Sequence, residues 1–217
     1  MIHILTILFT LVLFNACSFK SPPNKWQQQS ATNFSSYTQN FLKDRNSLAK
    51  NDLKRAIKNA KVSANLVPLA KIYLGKCALD ISVGSKNSCR DYQEIKTLLK
   101  NDKLDAYNAF LSLNYNHAQI ELLPSQYQEF ATALLQKKFH KANTSLISMK
   151  KTTSALLASA LLKEHIEIKT IDYILNISSH YGYKKSVLYW LKSLKTLLKD
   201  KEQIKVIRKK IEILTSK

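Results

Sequence analysis

Histidine and acidic side chains are the residues of this 217-residue chain that could supply acid–base chemistry. Such a site needs a histidine or two carboxylates within hydrogen-bonding reach of the reacting atoms. The segment Lys-Glu-His-Ile-Glu at 163–167 places two carboxylates around a histidine, but it lies between two apolar runs, as a polar helix end does. The remaining histidines considered have no HExxH or comparable ligand spacing; they are His117, His140 and His180. These residues predict neither an acid–base site nor a metal site.

Other catalytic patterns are equally weak. The three glycines, Gly75, Gly84 and Gly182, lie too far apart to form a phosphate-binding loop, and no GxSxG motif occurs. A peptidoglycan-cleaving enzyme would need a buried glutamate in a cleft, and the candidates lack a supporting motif; they are Glu94, Glu121 and Glu129. The sequence therefore predicts no enzyme, no cofactor and no small-molecule substrate, with a peptidoglycan-acting enzyme as the distant alternative.

Cys17 closes a short apolar stretch at the N-terminus, residues 4–14, with Asn15 and Ala16 between them. An uncharged run of about 14 residues is shorter than the ~20 that a spanning helix needs, and it suits the apolar region of a signal peptide. The five residues Leu-Phe-Asn-Ala-Cys that end at Cys17 resemble the lipobox of bacterial lipoproteins. The resemblance implies cleavage before Cys17 and acylation of its thiol and new amino group, so that a lipid bilayer is the first partner.

The residues after Cys17 indicate where the protein works. Ser18 stands where an Asp favours retention in the inner membrane of enteric bacteria, so the resemblance implies the outer membrane, facing the periplasm. Residues 1–16 are interpreted as a signal peptide, 17–29 as a lipidated tether that contains Pro22 and Pro23, and 30–217 as one helical domain. An uncleaved anchor and simple secretion are the alternatives. We expect no nucleic-acid partner, because a lipoprotein works outside the cytoplasm.

Cys77 and Cys89 remain as an even pair if Cys17 carries lipid, in a compartment where disulfides persist. They flank residues 78–88, which contain the clearest loop of the chain, 82–88. A bridge there would join the ends of two neighbouring helices and contribute roughly 2–3 kcal/mol. Two buried free thiols are the alternative, and a metal site is disfavoured because neither cysteine lies in a CxxC pair or near a histidine.

The elements that carry these residues are predicted to be helices. Apolar residues recur every three to four positions in nearly every segment, and only three Gly and four Pro occur, too few for the frequent turns of a sheet-rich protein. The pattern predicts an all-α fold of about eleven short helices. They are 31–45, 53–62, 65–78, 91–99, 103–113, 124–135, 142–149, 152–164, 170–180, 184–199 and 202–214.

Residues 181–194 resemble the second half of a tetratricopeptide repeat, in which a Gly and an aromatic residue mark the turn and small residues stand where helices touch. Those positions are taken by Gly182, Tyr183, Ser186, Trp190 and Ser193. Residues 69–75 are a weaker echo of a first repeat helix, and 203–214 resemble the solvating last helix of such arrays. The resemblance implies a stack of short antiparallel helical hairpins, an α-solenoid; an irregular helical bundle is the alternative.

Aromatic residues near the C-terminus could line a groove for a partner, since aromatic side chains are frequent at interfaces. The candidates are Tyr181, Tyr183, Tyr189 and Trp190. At helical spacing such residues are more often core residues, and for Trp190 the core is the favoured prediction. Trp26 stands apart in the predicted tether, where it would either rest in the bilayer interface or cap the first helix.

The formal charge of +19 comes from 34 Lys and Arg residues against 15 Asp and Glu residues. The basic run at 199–210 is interpreted as the solvated face of the last helix, with an acidic partner as its functional alternative. Taken together, the sequence predicts a non-catalytic outer-membrane lipoprotein that acts as a periplasmic adaptor or assembly factor for an envelope protein. The alternative is a protein that binds anionic envelope polymer or lipopolysaccharide through its Lys-rich surface.

Overall fold

Helices form all the regular structure of the described residues. The computed structural model describes residues 24–86 and 88–216, and no β-strand occurs within these ranges. The all-α prediction is therefore confirmed. The helices are α1 (Lys25–Leu42), α2 (Asn46–Ala60), α3 (Val67–Ser82), α4 (Arg90–Gln93), α5 (Asp102–Leu111), α6 (His117–Leu122), α7 (Ser125–Leu135), α8 (Phe139–Ile147), α9 (Thr152–Leu162), α10 (Ile168–His180), α11 (Lys184–Leu197) and α12 (Lys201–Thr215), with 3-10 turns at Lys96–Leu98 and Lys163–His165.

The first helix begins earlier than the sequence predicts. α1 starts at Lys25, inside the range 17–29 that we interpreted as a tether. Its first turns already pack on the domain, because Ser30 is buried and its Oγ donates a hydrogen bond to the carbonyl oxygen of Ala56 at 3.0 Å. Residues 25–29 are thus part of the helical domain. Cys17, the predicted signal peptide and residues 17–23 lie outside the described residues.

Three further helix boundaries differ from the prediction. α2 begins at Asn46 rather than at residue 53, and the segment 91–99 divides into α4 and a 3-10 turn. α6 was not predicted at all. Its start is fixed by Asn116, whose side chain accepts from the backbone of Gln119 while the Gln119 side chain accepts from the backbone of Asn116. This reciprocal cap stabilises a helix too short to show apolar periodicity.

Three pairs of neighbouring helices share one reversal. The connections α1–α2, α7–α8 and α10–α11 each have three residues, and the middle residue is left-handed: Asp44 (φ 62°), Lys137 (φ 56°) and Gly182 (φ 65°). In each, the third residue's amide donates back across the helix end, as in a Schellman motif. These bonds, all 2.8 Å, are Arg45 N to Asn40 O, Lys138 N to Ala133 O and Tyr183 N to Ser178 O. Each reversal closes an antiparallel hairpin.

The core lies between α3 and α9, which are far apart in the chain. Every residue from Ser154 to Leu162 of α9 is buried, as expected for a helix that is apolar on all sides. α9 packs against α3, and also against α7, α8 and α10. In an open solenoid each repeat contacts only its neighbours, so the α3–α9 contact adds a bundle-like core to the stacked hairpins.

A second long-range contact brings the ends of the described chain together. α11 packs on α1, where the Gln39 side chain donates to the Tyr183 hydroxyl at 3.0 Å. The ammonium of Lys185 lies 4.1 Å from the centre of the Phe41 ring and donates to the Asn46 side chain at 2.7 Å. The C-terminal hairpin α10–α11 is therefore fixed against the N-terminal hairpin α1–α2.

Within the described ranges, no helix has both the length and the apolar composition needed to cross a membrane.

Candidate functional site

The predicted disulfide is present. Cys77, near the C-terminal end of α3, is bonded to Cys89, directly before α4, and the two Cα atoms are 5.2 Å apart. Both residues are buried, and Cys89 adopts a left-handed backbone with φ 53°. The bridge closes the loop after α3 and holds α4 against that helix. Its position gives it a structural role.

The four aromatic residues predicted to line a groove do not share one surface. Trp190 is only 2% exposed and Tyr183 is buried as well, so both belong to the core. They face inward because α11 presents this side to the hairpin partner α10, where the buried Ser178 and Ser186 hydroxyls are 2.8 Å apart. The core prediction for Trp190 agrees with this burial. Tyr181 is exposed, and Tyr189 is half-buried.

Tyr189 borders a shallow cleft between α1, α3 and α11, with a volume of about 300 Å³. Its ring lies against Gly84, where any side chain would collide with it. Burial raises the pKa of Tyr189 above its usual value of 10.0, while a hydrogen bond with Ser193 acts in the opposite direction. The cleft floor is apolar and its rim is charged; the lining residues include Phe41, Val83, Leu188, Asp44, Lys185 and Lys192.

α12 carries several exposed aliphatic side chains near the C-terminus. Only Ile207 of this helix is buried, and α12 packs chiefly on α11. Val206 is 54% exposed and Ile213 is 62% exposed, and seven residues apart they lie on the same face of the helix. Lys209 and Lys210 stand between them on that face. We call Val206, Lys209, Lys210, Ile213 and the exposed Leu214 the α12 surface.

This exposure corrects the expectation that 203–214 simply solvates the end of a stack. The sequence predicts that the run of basic residues lies on a solvated face, which agrees with the exposure of Lys205, Arg208 and Lys209. It does not reveal that the aliphatic residues divide between two faces. Ile207 packs inward, whereas Val206 and Ile213 point away from α11. The spacing of seven residues between Val206 and Ile213 was the feature of the sequence that could have indicated this shared face.

Among the described residues, a close histidine–carboxylate pair joins α8 to the N-terminus of α10. Nδ1 of His140 lies 2.8 Å from Oε1 of Glu167, and Lys169 lies 3.1 Å from the other carboxylate oxygen. The hydrogen bond from His140 lowers the pKa of Glu167 below its ordinary value of 4.5. Among the described residues, no hydroxyl or thiol is hydrogen-bonded to the imidazole of His140 or to the carboxylate of Glu167. We assign it a structural role at the N-terminus of α10.

The segment 163–167 forms the polar helix end that the sequence predicts. Residues 163–165 make a 3-10 turn after α9, and the His165 ring stacks on Phe139 with 3.6 Å between ring centres. Asn143, fully buried in α8, ties this joint together. Its amide donates to the His165 carbonyl at 3.0 Å, and its oxygen accepts from the Glu167 amide at 3.0 Å.

The glutamates considered for a peptidoglycan-cleaving site all lie at the surface. Glu94 pairs with Arg90 at 3.1 Å and Glu129 with Lys141 at 3.6 Å, and Glu121 is exposed as well. All three are exposed, whereas the general acid of such an enzyme stands in a buried, apolar environment. Among the described residues, no group of three or more histidine, cysteine or acidic side chains could hold a metal ion.

Comparison with protein-family models, with curated proteins and with solved structures finds no match to this chain.

Proposed function

We propose that this protein is a non-catalytic outer-membrane lipoprotein, held by acylated Cys17, that acts as an adaptor or assembly factor for an envelope protein. The α12 surface carries the proposal. Two aliphatic side chains more than half exposed, on one face of a helix, form a surface onto which an amphipathic segment can pack. α12 packs on α11, which contacts α10 and α1 and so joins this surface to the rest of the domain.

The charge around the α12 surface defines the partner's chemistry. Residues 184–215 contain ten basic and three acidic residues. A matching partner is therefore an amphipathic segment of an envelope protein, with aliphatic residues on one face and acidic residues beside them. The apolar contact would supply most of the affinity, and the charges would speed association and set the orientation.

The lipid anchor would make a modest affinity sufficient. A protein confined to the inner face of the outer membrane meets membrane-bound partners at a raised effective concentration. Replacement of the acylated residue, Cys17→Ser, should abolish incorporation of radioactive palmitate and move the protein out of the membrane fraction. Persistence of palmitate labelling in this variant would remove the anchor from the proposal.

The adaptor proposal is tested by capture of the tagged protein after in-cell crosslinking, followed by washes at low and at high salt. The double variant Val206→Asp/Ile213→Asp should lose a discrete envelope protein that the wild type retains through the high-salt wash. Leu98→Asp is the control, because Leu98 is 70% exposed but lies on the 3-10 turn between α4 and α5. Equal capture by all three proteins, or capture of no discrete protein, contradicts the proposal.

Binding of anionic envelope polymer or lipopolysaccharide is the second candidate, and the charge balance favours it. With 34 basic and 15 acidic residues, at least 19 basic side chains would remain without a carboxylate partner if every acidic side chain paired with one basic side chain. Binding that depends on these charges alone should fall steeply with ionic strength. If only polymer is captured and salt removes it, while Val206→Asp/Ile213→Asp has no effect, this second function replaces the adaptor.

A further inference from the structure

The N-terminal end of α1 and the C-terminal end of α2 form one tip of the domain. Because Ser30 of α1 is bonded to Ala56 of α2 and the two helices are antiparallel, the first turn of α1 lies beside the last turn of α2. A polar groove between them confirms this placement, since Gln28 and Gln29 line it together with Lys58 and Asn59. We define the N-terminal tip as Lys25, Trp26, Lys58, Lys61 and Val62.

The side chains of the N-terminal tip combine positive charge with apolar surface. Lys25, Lys58 and Lys61 are exposed and take part in none of the ion pairs found among the described residues. Val62 is 67% exposed and adds an aliphatic side chain to this surface. Trp26 is half-exposed and lies one helical turn before the buried Ser30 on the same face of α1.

Acidic residues are absent from the segments that build the tip. No Asp or Glu occurs in residues 24–43 or 53–79. Asp52 is buried and paired with Arg55, so it does not offset the exposed lysines. On the neighbouring helix α3, the negative charges that raise the pKa of Tyr73 belong to Asp91 and Glu94. These two carboxylates are already paired with Lys76 and Arg90. The tip therefore presents a cationic surface.

The sequence places this surface close to the predicted anchor. Lys25 follows Cys17 by eight residues. Even when fully extended, this segment spans at most about 28 Å. Trp side chains favour the membrane–water interface, and basic residues near anionic lipid contribute about fivefold in affinity each. Lipid-anchored proteins commonly combine acyl chains with such a basic patch.

We propose that the N-terminal tip is a second membrane contact, in which Trp26 and Val62 enter the interface and the lysines face anionic phospholipid headgroups. This inference rests on the lipid anchor of the proposed function. The contact fixes the orientation of the domain on the bilayer. It directs the hairpin α1–α2 toward the membrane and leaves the α12 surface for a protein partner.

Tryptophan fluorescence tests the contact directly, because Trp26 and Trp190 are the two tryptophans of the chain and Trp190 is buried. The protein is purified from membranes with its N-terminus as the cell processes it, and is added to phosphatidylcholine vesicles with and without phosphatidylglycerol. Brominated phospholipid should quench the emission strongly in anionic vesicles. Trp26→Phe, which leaves only Trp190, should show no quenching. Emission that brominated lipid leaves unchanged in the wild type overturns the proposal.

Charge-reversal variants distinguish vesicle binding through the N-terminal tip from binding through the positive charge of the whole protein. Lys58→Glu/Lys61→Glu should reduce binding to anionic vesicles at least tenfold, or halve the quenching of Trp26 if the acyl chains keep the protein bound. Lys192→Glu/Lys195→Glu on α11 has the same charge change and should behave as the wild type. Equal loss in both variants overturns the proposal. If charge reversal unfolds the tip, Lys58→Gln/Lys61→Gln provides the same comparison. The outcome of these vesicle experiments does not depend on whether the α12 surface captures a protein partner.

Discussion

Lys137 occupies a backbone conformation that glycine adopts without strain. It is the middle residue of the α7–α8 connection, with φ 56°, and its side chain is exposed. The same position of the α10–α11 connection holds Gly182, where an added Cβ would meet nothing within 4 Å. A side chain at this position therefore costs backbone energy and little else.

The substitution Lys137→Gly should raise the free energy of unfolding by about 0.5–1 kcal/mol, because it removes left-handed strain. Gly182→Ala should lower it by a similar amount. Urea unfolding of the two variants measures both changes. Lys137→Ala serves as the control and should bring no gain, since it removes the charge but keeps the strain. A gain in Lys137→Ala equal to that in Lys137→Gly would contradict this interpretation of the turn.

Glu167 should contribute a small, pH-dependent stabilisation. Its folded-state pKa lies below the ordinary 4.5 because of the hydrogen bond from His140. The contribution is therefore complete above the unfolded pKa and is lost as the pH falls through the lower folded value. Between about pH 5.5 and pH 3 the wild type should lose a few tenths of a kcal/mol more than Glu167→Gln, since the pair is open to solvent. Parallel stability curves for the two proteins would exclude this effect.

The disulfide joins two helices that otherwise have little contact surface between them, since α4 is a single turn. Replacement of both residues, Cys77→Ala/Cys89→Ala, should lower the free energy of unfolding by about 2–3 kcal/mol. Reductant should lower the stability of the wild type by a comparable amount and leave the double variant unchanged. Equal unfolding midpoints with and without reductant in the wild type would show that the bridge does not stabilise the fold.

The sequence predicts the helices better than their ends. The scarcity of Gly and Pro and the apolar periodicity were enough to establish the all-α class. The reversal at Gly182 was recognisable because glycine marks it, whereas the same reversal at Asp44 and Lys137 carried no glycine and gave no signal. The tether was predicted too long because residues 25–29 are mostly polar, although they continue α1, which docks on α2 through the following Ser30.

Across the whole chain, the sequence does not determine which distant helices meet. Periodicity identifies an apolar face, but it does not say that α9 packs on α3 or that α11 returns to α1. For the same reason Tyr183 could be assigned to a groove when it in fact lies in the core, whereas the core prediction for Trp190 agrees with its burial. The predicted disulfide succeeded because two cysteines offer one possible bond once Cys17 is set aside.

The central claim is that the α12 surface binds an envelope protein, and a photo-crosslinking amino acid at position 213 tests it most directly. Irradiation of living cells should give one discrete crosslinked species from position 213, and the same position should lose it when Val206 is replaced by Asp. The same amino acid at position 98, also exposed, should give no such species. Identical products from both positions, or no protein adduct from position 213, would contradict the adaptor account.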